Sequence, residues 1–182
     1  MRCYKKMVIA AAFSAVGLLS LNLIAAEKHD MSKMPEKKMP AEFEKLKSLV
    51  GTWTGKAKMH GDKEENVKIT YGLTAGGTAI LEKFSPGTSH EMATIYNVED
   101  GRLCMTHYCM LGNAPKMRLK GSTKDSLSFE MKGKEGISSD KEMHMHSLTI
   151  TWKDADHIST GWTSYNDGKP APCSTFNLAR KK

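Results

Sequence analysis

The sequence predicts an all-β domain: an antiparallel up-and-down barrel of about ten strands with one short N-terminal helix. Three observations carry this. Short runs of alternating apolar and polar residues follow one another from Gly51 to the C-terminus. Turn signals separate them at fairly even intervals. No stretch after Gly51 is long enough to serve as the crossover helix that parallel strands require. The strands must therefore be antiparallel, and even spacing with short connections points to an up-and-down barrel or a sandwich. Closure into a barrel also removes the unpaired edges that invite aggregation.

The chain opens on Arg2, Lys5 and Lys6, then an apolar run from Met7 to about Ile24, then Ala25-Ala26 before polar Glu27-Lys28-His29-Asp30. That order of charge, apolar stretch, small residues and polar start is the pattern of a secretory signal peptide. Residues 1–26 are therefore expected to be removed, leaving a periplasmic or secreted product with no stable membrane insertion. The competing reading is an uncleaved anchor, because the apolar run nears the ~18 residues of a spanning helix. Asn22 and the alanine end favour cleavage. N-terminal sequencing of exported protein is expected to begin at Glu27, and a product keeping Met7 to Ala26 would establish the anchor.

Residues 27–40 hold two prolines and many charges without periodicity, the composition of a disordered linker. The domain itself is read as 41–182. Its first element spans 41–50, where Phe43, Leu46, Leu49 and Val50 recur at helical spacing with Glu42 and Glu44 in the first turn. Gly51 closes it. Ten strands follow at about 52–60, 66–74, 77–84, 89–98, 102–109, 116–121, 126–132, 144–152, 157–165 and 173–180. Asp100-Gly101 and Asp167-Gly168 are hairpin turns by chemistry. Alternation puts Val67, Ile69, Tyr71 and Leu73 on one face of the second strand, and Leu103, Met105, His107 and Cys109 on one face of the fifth. In the eighth, His144, His146, Leu148, Ile150 and Trp152 share a side. The fourth is mixed on both faces.

The net charge of +7 resembles a signal for anionic partners, but it is concentrated at the ends. Three positives belong to the signal peptide, and Arg180, Lys181 and Lys182 supply three more at the C-terminus. Residues 41–179 balance 17 positives against 17 negatives. No basic stripe interleaved with aromatics is present, so nucleic acid is not an expected partner.

Leu49-Val50-Gly51-Thr52-Trp53-Thr54-Gly55, after a short helix and ahead of a ten-strand meander, resembles the start of a calycin barrel, the group of lipocalins, fatty-acid-binding proteins and nitrobindin-like proteins. His90-Glu91-Met92-Ala93-Thr94-Ile95-Tyr96, Thr106-His107-Tyr108-Cys109 and Gly112-Asn113-Ala114-Pro115-Lys116-Met117-Arg118 resemble a bacterial subgroup of such barrels without an assigned function. The resemblance spans about residues 43–180. It implies an interior cavity and a small-molecule ligand. Nitrobindin-like barrels hold haem through a histidine near the C-terminal end. After His146 only His157 remains, at the start of a strand, so haem is not expected to carry over.

Trp53 is expected to plug the barrel floor beneath the helix. Trp152 and Trp162 read first as core or wall, since aromatics supply large burial. Arg180 either reaches inward toward an anionic ligand or stays at the surface beside Lys181 and Lys182, the surface role being favoured. His144 and His146 are separated by one residue, which on a regular strand sets them about 6.6 Å apart on one side. Two imidazoles so placed can share a divalent metal. His107 and Cys109 offer donors from the same inferred interior, and Glu82 is the nearest candidate carboxylate. The competing reading is that these histidines are hydrogen-bonded wall residues, and the fifth and eighth strands are separated by two others. His29, Met31, Met34 and Met39 could bind copper through imidazole and thioethers, although a solvated linker with several Met is commoner. The 13 methionines suit adaptable packing.

Of the four cysteines, Cys3 leaves with the signal peptide. Cys104 and Cys109 lie about 16 Å apart on opposite faces of one strand, too far for a disulfide; any intramolecular bridge would use Cys173. No nucleophile elbow, phosphate-cradling loop, CxxC pair or HExxH helix is present. The leading expectation is a barrel that binds a small, largely apolar ligand, lined by Trp53, Tyr71, Phe84, Met105, His107, His144, His146, Ile150 and Trp162. The alternatives are a metal- or histidine-assisted enzyme, or a haem- or metal-binding protein, in the same cavity, with His107, His144 and His146 as metal ligands, and a barrel packed shut for a structural or interaction role. No cofactor is required by any motif, and none sets an oligomeric state.

Overall fold

The computed structural model describes residues 38–58, 64–171 and 174–182. The expected signal peptide, most of the expected linker with His29, Met31 and Met34, and Cys173 lie outside the described residues, whereas Met39 packs partly buried against the core.

The first element is a short helix, α1 (Ala41–Lys47), with Pro40 at its N-cap. Its charges follow the helix dipole, with Glu42 and Glu44 in the first turn and Lys45 and Lys47 in the last. Phe43 and Leu46 point one way and, with Leu49 just beyond, are completely buried. The helix is shorter than the periodicity implies, because 48–50 leave it in a turn that feeds the first strand.

The strands are β1 (Gly51–Lys58), β2 (Glu64–Thr74), β3 (Ala79–Phe84), β4 (Met92–Glu99), β5 (Arg102–Tyr108), β6 (Lys116–Ser122), β7 (Ser126–Met131), β8 (His144–Trp152), β9 (His157–Asn166), a two-residue β10 (Lys169–Pro170) and β11 (Ser174–Arg180). Each of β1 to β9 pairs antiparallel with its successor, β9 pairs with β11, and β11 returns to β1. The result is a closed ten-stranded antiparallel barrel, with β10 an extra stub hydrogen-bonded to β9. Gly77, expected to open the third strand, instead ends a single 3-10 turn, Ala75–Gly77, and the strand begins at Ala79. Asp100-Gly101 and Asp167-Gly168 all adopt positive φ, as the twist-matched hairpin turn demands.

The floor explains the G-x-W-x-G element. Trp53 is completely buried and donates its indole N–H to Leu49 O at 2.7 Å. Arg180 lies over its ring at 4.3 Å and donates to Val50 O (2.9 Å) and Ser48 O (2.6 Å), the carbonyls beyond the helix end. Gly51, at φ 129, passes close beneath that guanidinium. A Cβ at Gly55 would stand 2.1 Å from Asn177 O on β11, so only glycine lets the two strands close. Arg180 is thus a structural clamp.

Alternation places Trp53, Val67, Ile69, Tyr71, Ile80, Glu82, Phe84, Thr94, Tyr96, Leu103, Met105 and His107 in the buried interior, joined by Met117, Phe129, Leu148, Ile150, Thr160, Trp162 and Phe176. Leu73, expected with the second-strand set, is 49% exposed at the strand end. Cys104, on the outer face of β5, is nevertheless buried, and Cys104 and Cys109 are both free.

The eighth strand departs from the expected alternation. A β-bulge at His146 shifts the register with β9: Leu148 opposes Trp162 and Ser147 opposes Thr163, but Met145 opposes Ser164 and His144 opposes Tyr165. Cross-strand partners share a face. His144 therefore lies on the side of Tyr165 and Thr163, opposite to Leu148 and Trp162. His146 follows it outward, its ring stacked on Tyr165 at 3.8 Å. The expectation that His144 and His146 line the interior with His107 is corrected: the extra residue of the bulge turns them out of the barrel.

Candidate functional site

The interior carries a row of polar side chains in an otherwise apolar core. Tyr71 on β2 pairs across the sheet with Glu82 on β3, Glu82 with Thr94 on β4, and Thr94 with His107 on β5. Four adjacent strands thus place four polar groups side by side on one inward face. All four are buried. Tyr96, one step along β4 on the same face, donates its hydroxyl to Glu82 Oε2 at 2.6 Å. Thr94 Oγ1 and His107 Nδ1 are hydrogen-bonded at 3.0 Å. The imidazole rests against Trp162, ring centres 4.8 Å apart.

Three buried polar atoms of this interior have no hydrogen-bond partner: Tyr71 Oη, His107 Nε2 and Thr160 Oγ1. The Tyr71 hydroxyl stands close enough to Glu82 to favour its ionised form, but not in hydrogen-bonding geometry. His107 Nε2 is the ring atom left over once Nδ1 has bonded Thr94, a donor or an acceptor according to the tautomer.

Burial sets the electrostatics. It raises the Glu82 carboxyl to about 7, the hydroxyls of Tyr96 and Tyr71 pulling the other way. It lowers His107 to about 4, so the imidazole is neutral at neutral pH. Burial, reinforced by the charge of Glu82, pushes both tyrosines well above their ordinary value. A carboxyl that titrates near neutrality beside a neutral imidazole can donate to or accept from a polar group brought among them.

Of the residues expected to line the interior, Trp53, Tyr71, Phe84, Met105, His107, Ile150 and Trp162 face it and are buried. Trp53 belongs to the floor. His144 and His146 sit outside, beneath the 132–143 loop. Cys109, expected beside His107, lies past the end of β5 with Sγ 4.0 Å from Met92 Sδ. His157, the last histidine in the chain, pairs with the Asp154 carboxylate at 2.9 Å on the exposed β8–β9 turn. Thr94, Tyr96 and Thr160 were not anticipated. Thr160 lies between Ile158 and Trp162 in alternation and was open to that reading. The mixed faces of the fourth strand hid Thr94.

No protein-family model matches the chain, and no curated protein sequence matches it. Among solved structures, it is similar to Rv2717c from M. tuberculosis, with TM-score 0.55, 13% identity, and coverage of 80% of this chain and 100% of that one. A protein of unknown function from the DUF3598 family of Nostoc punctiforme aligns at TM-score 0.43 and 12% identity, over 75% of this chain and 48% of that one. At such identities the likeness to Rv2717c speaks for the barrel fold alone.

Proposed function

We propose that the protein is an exported, calycin-like barrel that takes up a small, largely apolar molecule bearing one polar group. The polar group meets Tyr71, Glu82, His107 and Thr160, while Phe84, Met105, Ile150 and Trp162 surround the apolar body. The observation that supports this reading is the set of three unpartnered polar atoms buried in one interior. Each buried group left without a hydrogen bond costs roughly 1–3 kcal/mol, and well-packed apolar side chains at these positions would avoid that cost. A ligand's polar group, or water held in its place, supplies the missing bonds.

The test is saturable uptake of an environment-sensitive apolar dye or a fatty acid, expected near one per chain. Replacing Trp162 with Ala or His107 with Phe is expected to weaken uptake several-fold, with Lys132→Ala as an unaffected surface control. Equal uptake by all four proteins would remove the interior site.

One observation favours a second reading, a barrel packed shut. Tyr96, Phe129, Met105 and Met117, above the Trp53 floor, are large side chains and all fully buried. On that reading neither dye nor fatty acid binds.

A further inference from the structure

The bulge that removes His144 and His146 from the interior assembles them into a second arrangement on the outer face. His144 Nε2 and His146 Nδ1 stand 3.2 Å apart, within hydrogen-bond distance. His144 Nδ1 is 2.7 Å from Glu142 O. A carbonyl only accepts, so Nδ1 carries the proton and the neutral ring presents the bare Nε2 lone pair to His146.

The supporting residues are fixed in their turn. Glu142 accepts from Asn113 Nδ2 at 2.7 Å and from the Ser138 N–H at 2.7 Å, and the same Asn113 amide donates to Met143 O at 2.9 Å. The carbonyl that orients His144 is therefore held by a stapled loop. His146 is held by its stack on Tyr165, the ring planes 18° apart. The pair opens on a recess of about 220 Å³ whose wall includes Ile137, Asp140, Tyr165 and Gly168.

We propose that His144 and His146 form an outward-facing site for a divalent first-row metal ion, copper(II) above the others. Two cis metal–nitrogen bonds of about 2.0 Å set their nitrogens roughly 2.8 Å apart on a tetragonal ion and 3.3 Å apart on a tetrahedral one, so from the 3.2 Å found here the two rings close by a few tenths of an ångström on copper(II). The His144 Nδ1–H bond to a backbone carbonyl is the outer-shell contact that orients metal-binding histidines. On binding, the proton on His146 Nδ1 leaves or moves to Nε2, and both lone pairs turn to the ion. Asp140 is the carboxylate on the recess wall, at present paired with Lys134 at 2.9 Å. Among the described residues no third histidine, cysteine or carboxylate completes a cluster with the pair, so water fills the remaining positions. Imidazole nitrogen with exchangeable oxygen donors favours copper(II) in the order of divalent affinities. The site is independent of the interior and stands or falls separately from ligand uptake.

The test is copper(II) titration of the full chain, read by calorimetry and by electron paramagnetic resonance. One copper per chain with the nitrogen splitting of two imidazoles is expected. His146→Ala and His146→Gln are each expected to lose that spectrum. They should also weaken binding by more than the about 10- to 100-fold that loss of an outer-shell partner costs. His157→Ala and His29→Ala are expected to keep it, and circular dichroism establishes that every variant is folded. Folded His146 variants with the wild-type affinity and spectrum would overturn the site, and zinc displacing copper at equal concentration would overturn the metal assignment.

Discussion

Replacing Glu82 with Gln is expected to make stability rise with pH relative to wild type, and replacing His107 with Phe to make it fall. The reason is a pair of opposed titrations in one interior. Glu82 titrates near 7 in the folded protein and near its ordinary value when unfolded, so between about 4.5 and 7 the folded state binds the extra proton. Its contribution is fully present below that window and is lost as pH rises through 7. His107 titrates near 4 when folded and near 6.5 when unfolded. Between those values the unfolded state binds the extra proton, so stability falls as pH falls through 6.5 toward 4.

Each shift corresponds to about 3 kcal/mol, and over the shared window the two nearly cancel. Wild type is therefore expected to show little net dependence from these groups. The difference curves are expected to swing by about 3 kcal/mol, upward with pH for Glu82→Gln and downward for His107→Phe. Urea denaturation at several pH values between about 4.5 and 8 measures both. Flat difference curves would mean that Glu82 and His107 do not titrate in a buried interior.

Trp53→Ala is expected to cost about 3–5 kcal/mol of stability, the range for emptying a buried tryptophan site. The substitution leaves Leu49 O without its indole donor and Arg180 without the ring beneath it. Trp53→Phe, which keeps an aromatic plug under the guanidinium, is expected to cost clearly less. Chemical denaturation at neutral pH ranks the two. A loss below about 1 kcal/mol for Trp53→Ala would show that the floor is closed by something other than this stack.

Most of the barrel is legible in the sequence because its signals are local. The two Asp-Gly pairs mark their hairpins, alternation marks the buried faces of β2 and β5, and Phe43, Leu46 and Leu49 mark the helix that covers the floor. What is not legible depends on partners distant in sequence. That Tyr71, Glu82, Thr94 and His107 stand in one row is a property of register across four strands, and no single strand carries it. The bulge at His146 is hidden for a different reason. His144, His146, Leu148, Ile150 and Trp152 alternate without interruption and no glycine marks the extra residue, so the pattern reads as one regular strand facing inward. The outward turn is instead accompanied by the 132–143 loop, which Asn113 ties down from the neighbouring β5–β6 connection.

The most direct measurement of the proposed interior site is native mass spectrometry of the purified protein, before and after denaturation, for wild type and His107→Phe. Wild type is expected to carry a small molecule that is released on unfolding, or to take one up at one per chain when offered a fatty acid, with His107→Phe retaining less. Wild type that emerges bare and stays bare in the presence of excess fatty acid and apolar dye would contradict the interior site and leave a barrel packed shut.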